Sequence, residues 1–201
     1  MPYPHHIHME PSDRLNLPDL FDITAVQRQG KQLVEVILLK DELLHDIEAS
    51  AKQLDDARQA TVPAASPAGS LPPILPKGAA ENYLLLRHLD TAVNQAVSRC
   101  QAYLLLPSPF VRRISTNHTH GWEEKSIFLA FPHNWPPHCV DALRDSIHNF
   151  VVERTLQRYL LRVDPKAAES CDLQALGFYD EINALLNTRL GAMHLRPTFC
   201  G

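Results

Sequence analysis

SIFLAFPHNWPPHCVDALRDSIHNFVVERTLQRYLLRVDPKAAES, residues 126–170, carries a strand, a turn and a long helix in succession, and its reading sets the fold class. Residues 127–131 form a short apolar run of strand length, and Pro132, Pro136 and Pro137 punctuate the turn that follows. Val140, Leu143, Ile147, Phe150 and Val151 then recur at helical spacing, which predicts a helix entered through the Asn134-Trp135-Pro136-Pro137 turn. Asp164-Pro165 closes that helix and reads as the N-cap and first position of the next, so the two fold into an antiparallel helical hairpin. Phe178, Ile182, Leu185, Leu186 and Leu190 stripe the last helix, which is expected to place Arg189 in its final turn and to stop at Gly191.

Working back from this segment, residues 110–116 and 125–131 read as two strands of a small β-hairpin, joined by Asn-His-Thr-His-Gly-Trp-Glu-Glu. Residues 79–106 predict a helix with Leu85, Leu89, Ala92, Val93, Ala96 and Cys100 on one stripe, ended by Pro107. The five prolines and two glycines of residues 61–78 exclude helix and central strand, and make that segment an extended crossover linker. Residues 1–22, rich in proline and histidine, read as an extended arm, leaving 23–201 as a single helical domain.

From Ile23 the apolar positions fit a heptad, with Ile23, Gly30, Ile37, Leu44 and Ala51 in one phase and Val26, Leu33, Ile47 and Leu54 in the other. This predicts a first helix over residues 23–59, ~55 Å long at 1.5 Å per residue and longer than its neighbours. The expected fold is mainly α: an elongated four-helix bundle with a small β-hairpin between its second and third helices. An overhanging heptad seam implies self-association or a protein partner, with Ile37, Leu44 and the aromatic Trp122 at the hairpin tip as the interaction surface.

Composition narrows the function classes. A chain of 201 residues with 45% hydrophobic and 21% charged side chains has the means to bury a core. A net charge of −4 and a pI near 6.2 do not suit a protein whose main task is neutralising phosphates, so nucleic acid is not the expected partner. Arg144, Arg154, Arg158 and Arg162, with Arg112 and Arg113, are interrupted by acids and read as a solvated face. No apolar run approaches a membrane span and no basic, apolar leader opens the chain, which predicts a soluble, cytoplasmic protein. Cys100, Cys139, Cys171 and Cys200 are widely spaced and read as buried free thiols.

Chemistry-bearing motifs are few. The seven glycines allow neither a dinucleotide fingerprint nor a P-loop, and no nucleophile elbow is present. The one metal candidate is His118-Thr119-His120: alternate strand residues share a side, so His118 and His120 suit one divalent ion, completed by Glu123, Glu124, His133 or His138. The expected function is therefore a non-enzymatic structural or assembly protein with no cofactor, and the alternative is a metal-dependent enzyme using the His118/His120 region.

Residues 23–43, 127–156 and 187–197 (ITAVQRQGKQLVEVILLKDEL, IFLAFPHNWPPHCVDALRDSIHNFVVERTL and NTRLGAMHLRP) together resemble an uncharacterised family from Bacteroidetes associated with prophage-like or other mobile elements. That resemblance implies a helical protein of virion assembly or the head-tail region, and so a virion-associated location, and it supplies no catalytic residues.

Overall fold

The computed structural model describes residues 30–60, 73–75, 83–105 and 122–190. Among them lie strand β1 (Lys31–Leu39), helix α1 (Lys40–Ala60), helix α2 (Tyr83–Arg99), strand β2 (Glu124–Pro132), helix α3 (Cys139–Leu160) and helix α4 (Pro165–Asn187). The fold is mainly helical with a small two-stranded antiparallel sheet.

The expected strand at 125–131 is present as β2, and it pairs with β1 in a register that sets Lys31 opposite Pro132 and Leu39 opposite Glu124. Residues 110–116 lie outside the described residues. β1 overturns part of the heptad reading: residues 31–39 are strand, and helix begins only at Lys40. The physical reason is a period of two. Val34, Val36 and Leu38 are buried while Glu35, Ile37 and Leu39 are exposed, and the β-branched Val34, Val36 and Ile37 suit a pleated surface. Gly30 enters the strand at φ +64°, a left-handed conformation that costs glycine little. The strand passes directly into α1, where Asp41 and Glu42 complement the positive end of the helix dipole.

β2 buries Ile127, Leu129 and Phe131 on the same face. Its second edge takes the chain leaving α2: the Ala130 N–H donates to the Tyr103 carbonyl at 2.7 Å and the Leu105 N–H to the Phe128 carbonyl at 2.8 Å. The turn after β2 is built on Trp135, which is fully buried, stacks on Phe131 with centroids 4.0 Å apart, and donates from Nε1 to the Leu185 carbonyl at 2.8 Å. Gln32 pins the same turn by donating from Nε2 to the carbonyls of His133 at 2.6 Å and Trp135 at 3.0 Å.

α3 is the hub, in contact with the other three helices and with β1. Leu143, Ile147, Val151, Leu156 and Leu160 are buried along it, and its buried Ser146 and Thr155 hydroxyls donate to the carbonyls four residues back, both at 2.7 Å. α2 presents the expected stripe but ends at Arg99, seven residues short of the proline-based limit, because the chain turns at Cys100 to reach β2. Asp164 caps α4 as its spacing predicts, accepting the Ala167 N–H at 3.1 Å with Pro165 in the first turn. Its second oxygen takes Arg58 Nε at 3.3 Å and so ties α1 to the α3–α4 turn. α4 ends at Asn187, before Arg189, whose Nη1 still donates to the Leu186 and Thr188 carbonyls at 2.9 and 2.6 Å.

Candidate functional site

Among the described residues, the outer edge of β1 has no strand paired to it. Lys40 N–H donates to the Glu123 carbonyl at 2.9 Å, which fixes the phase of the ladder: even-numbered residues of β1 exchange hydrogen bonds with β2. The bonds of Phe128 and Ala130 to the opposite segment require the same phase. The N–H and C=O groups of Leu33, Glu35, Ile37 and Leu39 therefore point away from the sheet, and no backbone hydrogen bond meets them among the described residues. An unpaired edge of this length is a template for another strand.

Beside that edge lies an open groove of about 590 Å³, where β1 contributes Ile37 and Leu39, α1 contributes Glu42 and Asp46, and α3 contributes Arg144, Asp145, His148 and Asn149. His148 Nε2 meets Asp46 Oδ2 at 2.8 Å and clamps α3 to α1, while Arg144 pairs with the adjacent Asp145 at 3.0 Å. Ile37 is 40% exposed and Leu39 38%, so an apolar rail runs along the strand above a charged floor.

The residues singled out from sequence are dispersed. Ile37 lies at the groove, whereas Leu44 is buried in the core. Trp122, expected at an exposed tip, is half-buried and donates from Nε1 to Asp90 Oδ1 on α2 at 2.8 Å. Lys125 stands nearby with Nζ on Asn94 Oδ1 at 3.1 Å, and burial lowers its pKa against the opposing pull of Asp90. His118 and His120 lie outside the described residues, and among the described residues no three His, Cys, Asp or Glu side chains gather as a metal site. Burial raises the Cys100 thiol to about 11, and burial with the neighbouring Glu153 raises Cys171 to about 12, so neither is a thiolate near neutral pH.

The arginine face divides by partner. Arg154 is held by Asp172 and Gln95, while Arg158 and Arg162 gather with Arg87 around His88 on α2. Burial lowers the His88 pKa, and these three cations lower it further. The folded state thus binds a proton at His88 less readily than the unfolded chain, whose histidine titrates near 6.5. Stability is expected to fall as pH drops through that value and to level off below the folded pKa. Urea titrations between pH 5 and 8 should show this slope, and His88→Gln should flatten it.

The heptad spacing hides the β1 edge by drawing Val34-Glu35-Val36-Ile37-Leu38-Leu39 into a helix; the polar Glu35 between Val34 and Val36, the short apolar run after it and its β-branched content are the available signal. Among the described residues no helix is long and apolar enough to cross a membrane. Compared with known protein families, curated proteins and solved structures, the chain finds no match.

Proposed function

We propose that this chain is a non-enzymatic assembly protein that joins a second copy of itself through the open edge of β1, on a base of helices grouped bundle-like around α3. The observation that carries the reading is the row of outward backbone groups at Leu33, Glu35, Ile37 and Leu39. The strand is also self-complementary. Antiparallel pairing about a two-fold axis at Val36 sets Leu33 opposite Leu39 and Glu35 opposite Ile37, and brings Lys31 towards Asp41 of the other copy. Apolar side chains then cover one another, and no glutamate faces its own image. Such self-association suits the virion-assembly role implied by the resemblance to prophage-associated proteins. The alternative metal-dependent enzyme rests on His118 and His120 and gains no support from the described residues.

Light scattering and sedimentation of the intact chain over a concentration series test the proposal. A dimer is expected, and Ile37→Pro should weaken it, because the replacement deletes an outward N–H without touching the bonds to β2. Two symmetry-related bonds at about 1 kcal/mol each correspond to a roughly thirtyfold loss of affinity. Ile37→Lys offers a second variant that blunts the edge and retains every backbone donor. A chain that stays monomeric throughout the series, or a dimer indifferent to both replacements, overturns the reading.

A further inference from the structure

A second site lies away from the β1 edge, in a cleft of about 320 Å³ where α2, α3 and α4 meet. The geometry points to a binding site for a small organic monocarboxylate with an apolar body, and Arg99 is its anion-binding residue. The Arg99 guanidinium lies 3.8 Å from the centroid of the Tyr179 ring, which fixes its plane. Its Nε is buried with no hydrogen-bond partner, and no carboxylate pairs with Arg99 among the described residues. Arg154, which lines the same cleft, is paired with Asp172, and Arg58 and Arg144 elsewhere in the fold are also paired with carboxylates; Arg158 shares an unpartnered buried Nε with Arg99 but does not line this cleft. A stacked, partly dehydrated guanidinium without a counter-charge is pre-organised for the fork geometry of a carboxylate.

The rest of the lining selects the ligand. Arg154 also reaches the cleft, but its charge is already balanced by Asp172, so among the described residues the site carries one uncompensated positive charge. That matches a monoanion, and Asp172 disfavours a phosphate dianion. Phe150, Ala175 and Leu176 form an apolar wall, and Leu176 is 51% exposed, so a hydrocarbon or aryl body would cover surface now open to water. Gln95 and Ser98 add polar groups at the α2 side of the cleft.

Calorimetric and NMR titration of the full chain with 3-phenylpropionate tests the site. Saturable binding is expected, with shifts confined to residues around Arg99, Tyr179 and Leu176. Arg99→Gln should weaken it roughly 10- to 100-fold, the range for a charge-assisted hydrogen-bonded pair, and circular dichroism should show the fold intact. The neutral analogue 3-phenylpropionamide, tested on the unaltered chain, should lose as much and does not depend on a variant folding. A short peptide ending in a free-carboxylate phenylalanine separates the sources: tighter binding of the peptide assigns the carboxylate to a chain terminus, and tighter binding of the small acid assigns it to a metabolite. Absence of saturation with either, equal affinity for the amide, or an Arg99→Gln chain that binds as well as the parent overturns the inference.

Discussion

Trp135→Ala should unfold a large fraction of the chain at a urea concentration where the parent is still native. Trp135 is fully buried, its ring stacks on Phe131, and Nε1 donates to the Leu185 carbonyl, so one side chain joins the β2 turn to the end of α4. Truncating a buried aromatic to alanine costs about 3–5 kcal/mol. Against a total of roughly 5–15 kcal/mol for a domain, the loss takes a major share of the stability. Trp135→Phe keeps the ring contact and removes only the N–H. Since the Leu185 carbonyl also accepts the Thr188 N–H at 3.2 Å, that replacement should cost only about 1 kcal/mol. Urea midpoints measured with unchanged slope separate the two effects. Equal midpoints for the alanine variant and the parent would show that the turn does not anchor α4.

Val36→Pro should destabilise the fold severely where Ile37→Pro does not. Val36 is 1% exposed and faces Ile127 at a hydrogen-bonded position of the ladder, so proline there removes a β1–β2 bond and disturbs the inner face of the sheet. A loss of about 3 kcal/mol or more is expected, read as a lowered urea midpoint or as insoluble product. At Ile37 the missing N–H belongs to the open edge, and the fold should survive with a modest drop in melting temperature. Neighbouring residues of a helix would suffer alike. Equal destabilisation at both positions would therefore restore the helical reading of residues 31–39 and remove the edge on which the proposed self-association rests.

Much of the fold was legible because local patterns and tertiary demands agree. The turn with Trp135, the α3 stripe, the Asp164-Pro165 cap and the buried face of α2 all follow from spacing and from proline chemistry acting within a few residues. β1 was not legible in the same way. Leu33, Ile37, Leu44 and Ile47 satisfy a seven-residue spacing, although the first two belong to a strand and the last two to a helix, with no turn residue at the junction. The evidence against the helix is the partner strand, and the Gln32 contact to Pro132 spans 100 residues. No window of local periodicity contains that information. The same holds for the cleft: Arg99, Arg154 and Tyr179 come from three helices, and only their packing reveals that one arginine is balanced and the other is not.

The pairing of β1 with β2 also sets a timetable for biogenesis. β1 leaves the ribosome about 100 residues before the strand that covers it, a delay of roughly 5–20 s at ordinary translation rates. During that interval Val34, Val36 and Leu38 have no sheet to join, and both margins of the strand are unguarded. Nascent chains crowded on one message would therefore be most prone to coalesce through this segment, and slowing translation downstream of it should lower the soluble yield.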